Sequence, residues 1–202
     1  MKTQLTILIA AVLLVAAGCF PDVGEGKARA SVTDPVVEAE QADKRADKQA
    51  EPASETARTI AIDASRSTIA AVGAKVTQKH DIAFDEWGGT LEVTGDELTG
   101  ISIEIQMQSI RADVEKLTGH LKSPDFFDVA TFPTARFEAT RIEEKSGADG
   151  ATHVVTGKMT MHGVTKQISF PARGDVEENG VEAKADFVID REDFGITYPG
   201  MP

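Results

Sequence analysis

The side chains best suited to chemistry in this 202-residue sequence are four histidines, one cysteine and two close pairs of aspartates. His80, His120, His153 and His162 lack the spacing that places metal ligands on one helix face, and the lone Cys19 excludes a multi-thiolate site. The sequence therefore predicts no metal site.

Closely spaced carboxylates can act as a general acid and base. Asp125 and Asp128 fall in a predicted helical turn, where acidic groups offset the helix dipole, and Asp190 and Asp193 flank Arg191 at the end of a predicted strand. Structural roles account for both pairs. Nucleophile-elbow, Walker and G-x-G-x-x-G patterns are also absent from the sequence. We therefore predict no catalytic residues and no enzyme.

The histidines differ in their predicted surroundings. His153 begins a strand and is expected to be exposed, and His162 precedes Gly163 in a turn. His120 lies on a predicted helix beside Leu121, near one end of the β-structure. It is the histidine that we expect to contact a ligand.

The elements that must position these groups are mainly strands. From Arg58 onward apolar residues recur at every second position, as in Ile101, Ile103 and Ile105, and turn-forming residues separate the runs. Many short alternating strands indicate an all-β antiparallel sandwich or barrel. The same alternation continues without interruption from Val181 to Ile189.

One segment breaks this alternation. Apolar residues at helical spacing predict a helix from Asp113 to Lys122, and Ser123 before Pro124 favours a second helical turn that ends at Val129. An inserted helical segment supplies a lid or plug for the β-structure.

Several predicted inward positions carry small residues. Their side chains either fit the taper of a filled barrel or leave a narrow apolar cavity, and the pattern favours neither. The positions are Ala71, Gly73, Ala135, Ala139, Gly157, Ala183 and Ala185.

The N-terminal region differs in composition from the rest. Leu5 to Ala17 is apolar and uncharged, too short to span about 30 Å of hydrocarbon comfortably, and typical of a signal peptide covering residues 1–18. Residues 19–57 are rich in alanine, proline and charge, and predict a disordered tether. The β-domain then covers residues 58–202. The net charge of −12 and the lack of a basic stripe argue against a nucleic-acid partner.

The sequence around Cys19 resembles a bacterial lipobox, from Leu14 to Cys19, with Ala16 where leucine is more usual. The resemblance implies cleavage before Cys19 and acylation of that residue, which would anchor the protein to a membrane. It implies a cell-envelope location on the periplasmic face, at the outer membrane in a Gram-negative envelope because Phe20, not aspartate, follows the cysteine.

Five blocks of the β-domain resemble the YceI-like family. The block Lys116–Val129, which contains the sequence KLTGHLKSPDFFDV, is the most specific. The other four are Gly73–Thr77, Gly89–Val93, Gly157–Lys166 and Ile189–Ile196.

This resemblance implies a lipocalin-like antiparallel β-barrel of about eight strands with one inserted helical segment. It also implies binding of a long apolar lipid, such as a polyisoprenoid, an isoprenoid quinone or a fatty amide, by an envelope carrier or store. No cofactor is implied other than this lipid, and some members of the family dimerise, so a homodimer is a candidate assembly. Two alternatives remain open, an enzyme acting on an isoprenoid lipid and an interaction module recruiting an envelope partner.

The residues expected to line or close the lipid cavity are mostly large and apolar. A polar head group would meet Lys75, His120, Lys122 or Arg191 at the mouth. The predicted lipid-binding residues are Ile69, Ile103, Ile105, His120, Phe126, Phe127, Phe137, Met159, Phe170 and Phe187.

The similarity also raises an expectation about the C-terminus. Similar proteins continue past Tyr198–Pro202 with another strand, and without it the barrel would keep an unpaired edge. We expect a truncated or differently ended chain, rather than a partner strand or a partial barrel.

Overall fold

Strands dominate the computed structural model, which describes residues 12–15, 27–35, 57–75, 78–147, 150–177 and 180–198. One α-helix, α1 (Glu115–Lys122), interrupts them. The strands are β1 (Val12–Val15), β2 (Ala28–Arg29), β3 (Ser31–Thr33), β4 (Ala57–Ala61), β5 (Ala70–Lys75), β6 (Gln78–Phe84), β7 (Trp87–Thr94), β8 (Glu97–Gln106), β9 (Ile110–Ala112), β10 (Thr134–Glu144), β11 (His153–Met161), β12 (Val164–Glu177), β13 (Gly180–Ala185) and β14 (Phe187–Asp190).

The larger sheet has eight strands and is antiparallel throughout. Its order is β13-β12-β11-β10-β8-β7-β4, and β3 pairs with β12 beside this path. A two-residue turn at His162 and Gly163 joins β11 to β12, and both residues have positive φ, at 51° and 73°. This is the tight hairpin connection whose twist matches that of the strands it joins.

The smaller sheet has the order β2-β14-β1-β5-β6-β9. In it β1 lies between β14 and β5 and runs parallel to both. The apolar segment Val12–Val15 therefore occupies the seam between the last strand described and β5, which is the edge at which we expected a further strand.

The two sheets enclose a common core because their alternating apolar faces turn toward each other. Ile82 and Ile189 of the smaller sheet and Val155 and Ile168 of the larger one belong to the same buried cluster. Each such side chain stabilises the fold by roughly 1.5–3 kcal/mol through burial. The predicted all-β, barrel-like class with one inserted helix is confirmed.

The helical segment differs in detail from the prediction. Helix α1 begins at Glu115, two residues after the predicted start, and buries Thr118 and Leu121. The backbone N–H of Ala112 donates to Thr118 Oγ1 at 2.9 Å, which ties the helix to β9. Residues 124–127 form turns rather than the predicted helical turn, closed by bonds from the N–H groups of Phe126 and Asp128 to the carbonyl of Ser123.

The alternation from Val181 to Ile189 belongs to two strands and not to one. The chain leaves the larger sheet after β13 and enters the smaller sheet at β14, with Asp186 between them. Lys27 bonds the Asp186 carboxylate at 2.7 Å and so holds this crossing against β2. Alternation does not reveal such a change of sheet, because both strands keep the same face inward.

Cys19 and most of the predicted signal peptide and tether lie outside the described residues. Within the predicted tether, however, β2 and β3 dock on the barrel, and Ala30 and Val32 pack against its core. The β-structure thus includes residues N-terminal to the predicted boundary at 58. Among the described residues, no helix is both long and apolar enough to cross a bilayer.

Candidate functional site

An apolar cavity of about 100 Å³ lies between the two sheets. Its wall is almost entirely apolar and is built mainly from the inward positions of β8 and β10 to β14, together with Ile69 and Leu91. Arg173 of β12 and Lys184 of β13 also border the cavity. Along β11 the lining residues run from His153 to Met159, a span of roughly 20 Å at about 3.3 Å per residue. The apolar lining is therefore extended along this strand.

Seven of the ten predicted lipid-binding residues line this cavity. Six of them come from strands that are far apart in the sequence, and Ile69 directly precedes β5. These residues are Ile69, Ile103, Ile105, Phe137, Met159, Phe170 and Phe187.

Three aromatic side chains form a continuous part of the wall. The rings of Phe170 and Phe187 are stacked with centroids 4.1 Å apart, and Phe137 meets Phe170 at 5.5 Å with its plane tilted by 50°. Since β12 and β14 belong to different sheets, this cluster joins the sheets as well as lining the cavity.

The other three predicted residues lie at the helical segment. Phe127 is 2% exposed in the core and meets Phe126 edge-on at 5.0 Å. His120 lies between Phe126 and Tyr198, with ring centroids 5.9 Å and 4.5 Å away. Its Nε2 is buried and has no hydrogen-bond partner among the described residues. The structure thus places these three in the packing of α1 and the turns that follow it, and contact with a lipid remains a prediction for them.

Of the predicted head-group residues whose side chains the structure describes, none lies in the cavity wall. Arg191 is 6% exposed, donates to the carbonyl oxygens of Ile196 and Tyr198, and lies 5.5 Å from the centre of the Phe126 ring. Its geometry is that of a structural clamp on the segment after β14. Lys122 ends α1, and the side chain of Lys75 is not among those described.

The small inward residues divide between the two interpretations. Ala183 and Ala185 line the cavity. Gly157 does not leave space, because a Cβ at this position would lie 2.6 Å from the Phe137 ring and 2.5 Å from the Glu138 carbonyl. Ala71 and Ala135 are 1% and 2% exposed in the filled core.

His153 is a cavity residue that the sequence prediction missed. It was expected to be exposed at the start of β11, but it is partly buried and lines the cavity. Its Nδ1 lies 2.7 Å from Thr152 Oγ1. Period-two spacing from the inward Val155 was the signal that could have found it, since residues two apart on a strand share a face.

The cavity is small for a long ligand. A cavity of about 150 Å³ in another protein holds benzene, and pockets for larger ligands measure about 300–1,000 Å³. A chain longer than a few carbons therefore requires wall side chains to move apart. No cluster of three or more metal-ligating side chains occurs within the described ranges.

Comparison with known proteins identifies the fold independently. A profile of the YceI-like domain matches residues 61–201. Two curated relatives, both called UPF0312 proteins, come from Pseudomonas fluorescens and Pseudomonas putida strain F1. They are 31% identical over 125 residues and 36% identical over 110 residues. These matches cover 58% and 52% of this chain and 64% and 56% of the relatives, so the chain spans less than two thirds of their length.

Two solved structures have a similar fold. Burkholderia cenocepacia BcnA aligns with a TM-score of 0.50 at 21% identity, over 56% of this chain and 71% of that one. A Campylobacter jejuni YCEI protein aligns with a TM-score of 0.51 at 20% identity, over 59% and 73%. At these identities the structures support the fold alone, whereas the domain profile extends through most of the β-structure that encloses the cavity. On that match, this chain belongs to the YceI-like family.

Proposed function

We propose that this protein binds a long apolar lipid, such as a polyisoprenoid or an isoprenoid quinone, as a carrier or store in the cell envelope. The observation that carries the proposal is the lining of the cavity, which is almost entirely apolar and includes residues that span roughly 20 Å of β11. A long hydrocarbon chain suits such a lining, and its burial contributes about 25 cal/mol per Å² without any polar contact.

The proposal requires the cavity to widen when lipid enters. Met159 is the flexible member of the wall, with an unbranched side chain that repacks at low cost. In the full chain the seam between β14 and β5 is filled by β1, a strand of only four residues, and cleavage before Cys19 would remove this strand. Repacking of Met159 and opening of this seam are the route by which we expect the lumen to accommodate a chain.

Two measurements test the proposal. Protein purified from its native host should release an apolar lipid into an organic extract, detectable by mass spectrometry. An isoprenoid quinone added to lipid-free protein should quench the fluorescence of Trp87, the single tryptophan, which pairs across β7 and β8 with the cavity residue Ile105. An extract free of lipid, together with no saturable quenching, would refute the proposal.

The alternative function is catalysis on an isoprenoid lipid, which would need an acid or base facing the cavity. His153 is the candidate for that role because it is among the lining residues. An acid–base pair requires a second group that orients or relays the proton. Among the described residues no carboxylate is hydrogen-bonded to His153; its bonded partner is the Thr152 hydroxyl. The surroundings of His153 therefore favour binding over catalysis.

The membrane anchor is a separate part of the proposal and rests on the lipobox-like sequence ending at Cys19. Intact mass spectrometry of protein from a host membrane fraction should find acyl chains on a chain that begins at Cys19. The variant Cys19→Ala should be recovered unacylated. Recovery of unmodified wild-type protein in the soluble fraction would contradict the anchor without bearing on lipid binding by the barrel.

A further inference from the structure

An arm of the chain, residues 27–34, lies across the place where the two sheets separate. Its first strand, β2, pairs with Phe187 and Val188 of the smaller sheet, and its second strand, β3, pairs with residues 167–169 of the larger sheet. The arm therefore joins both sheets beside the crossing from β13 to β14.

The arm is docked on the barrel by backbone and apolar contacts. The N–H of Ala30 donates to the carbonyl of Val188 at 2.9 Å, and Ala30 and Val32 pack against the core. The YceI-like profile matches residues 61–201, so the arm precedes the matched segment. It is thus an addition to the matched domain that nevertheless belongs to the fold.

The N-terminal end of the arm lies at one end of the cavity lining. Lys27 bonds the Asp186 carboxylate at 2.7 Å, and Asp186 directly follows Ala185, which lines the cavity. Ala185 pairs with Ala172, which pairs in turn with His153 at the start of β11. The chain that precedes Lys27 therefore joins the barrel at the His153 end of the lining.

The link between the arm and the proposed anchor is short. Lys27 follows Cys19 by only eight residues. A flexible chain of that length reaches about 16 Å on average and about 28 Å when fully extended. An undocked tether covering residues 19–57 would reach about 35 Å, and the barrel measures about 30 Å along the nine residues of β11. Docking of the arm thus makes the average reach of the link shorter than the barrel.

We propose that the docked arm holds the barrel on the bilayer surface with the His153 end of the cavity lining toward the membrane, so that lipid passes directly between the bilayer and the cavity. The seam that cleavage before Cys19 would open also borders β14, the strand with which the arm pairs. The helical segment then faces away from the membrane, because Phe132, which follows it, meets His162 at the turn between β11 and β12, with ring centroids 4.7 Å apart. This inference rests on the proposed anchor and lipid binding, and adds the orientation and the membrane as the immediate source of lipid.

The first measurement determines which end of the barrel lies near the bilayer. Acylated protein is reconstituted in phosphatidylcholine vesicles that contain a rhodamine-labelled lipid, and a donor dye is attached to one engineered cysteine. The two exposed sites are Glu182→Cys on β13 and Lys116→Cys on α1. Acylation occupies the thiol of Cys19, the single native cysteine, so each variant has one reactive thiol. Energy transfer should place the dye on β13 closer to the bilayer by roughly 20 Å, the span of the lining along β11.

Two insertions distinguish a short link from a long tether. A flexible linker of about thirty residues inserted after Gly24 extends the reach to roughly 35 Å, so it should abolish the difference between the two dyes. The same linker inserted after Ala42 follows the arm and should leave the difference unchanged. Ala30→Pro removes the N–H that bonds Val188 and should act like the first insertion. Thermal unfolding verifies that each variant is folded.

The rate of lipid transfer is the second readout. An isoprenoid quinone in the vesicle bilayer should quench Trp87 more slowly in the protein extended after Gly24 than in the wild type, and at the wild-type rate in the protein extended after Ala42. Equal distances for the two dyes in the wild type, or equal effects of the two insertions, would overturn the inference. A clear difference in distance without quinone binding in detergent would refute the proposed lipid binding and leave the orientation standing. Recovery of the protein without acyl chains would overturn the anchor and the orientation together and leave lipid binding by the barrel standing.

Discussion

The ring of Phe170 is stacked on the ring of Phe187, with centroids 4.1 Å apart and planes 11° from parallel. The two residues are 7% and 6% exposed and belong to different sheets. Their contact therefore closes the barrel-like core and forms part of the cavity wall. The pair therefore contributes both to the stability of the fold and to the cavity wall, which makes it the first target for mutation.

Removal of either ring should be costly for stability. Phe170→Ala and Phe187→Ala should each lower the free energy of unfolding by about 3–5 kcal/mol, because each leaves a cavity in the core. A double-mutant cycle in urea should find a coupling of about 0.5–1.5 kcal/mol between the rings. Val114→Ala, at a side chain that is 45% exposed, is the control and should cost less than about 0.5 kcal/mol. Strictly additive effects would show that the rings do not interact as described.

Filling the cavity should block the ligand without unfolding the protein. Ala183 lines the cavity, so Ala183→Leu should weaken quinone binding at least tenfold and leave the midpoint of thermal unfolding unchanged or higher. The matched control is Glu182→Leu, at the exposed neighbouring position on β13, which should bind normally. Normal binding by Ala183→Leu would place the lipid elsewhere.

Arg191 should be essential for stability and not replaceable by lysine. Arg191→Leu leaves the carbonyls of Ile196 and Tyr198 without their donor, and should lower the free energy of unfolding by about 2–4 kcal/mol. Arg191→Lys should recover little of this loss, because a single ammonium group cannot reproduce the two-pronged geometry or the contact with Phe126. Chemical denaturation at pH 7 measures both. Full recovery by lysine would refute the clamp.

The surface pair of Asp85 and Arg111 should give a small stability difference that depends on pH. Two bonds of 3.0 Å join the guanidinium to the carboxylate, and the hydrogen bond from Arg111 lowers the pKa of Asp85 from its usual 3.8. A carboxylate with a lowered pKa stabilises the folded state above its unfolded pKa, and this stabilisation is lost as the pH falls through the folded pKa. Arg111→Gln should therefore unfold slightly earlier than wild type at pH 7, and the two curves should converge below pH 3.8. A difference that persists unchanged at pH 2 would contradict this account.

The strand pattern was readable from the sequence because side chains on a strand alternate between two faces. That rule placed Ile103, Phe137 and Phe170 on the inside, and the structure puts all three in the cavity wall. The same rule places His153 inward as well, although a polar residue at the start of a strand is usually exposed. For this residue, position on the strand is a better guide than residue type.

The helical segment shows what a local sequence pattern cannot predict. Its apolar spacing correctly indicated α1, yet His120 and Phe126 pack with Tyr198 and Arg191 instead of lining the cavity described here. These partners follow β14 and lie about 70 residues further along the chain. Local periodicity carries no information about which distant segment will cover a helix.

The sequence by itself therefore determined the all-β class, the inserted helix, the inward face of most strands and membership of the YceI-like family. The tertiary structure alone decided that the Val181–Ile189 run divides between two sheets, that Phe137 fills the space above Gly157, and that Ala183 borders a cavity. The physical reason is that alternation specifies a face, whereas empty volume depends on which side chains meet across that face. Those side-chain contacts are set by the pairing of strands that are distant in the sequence.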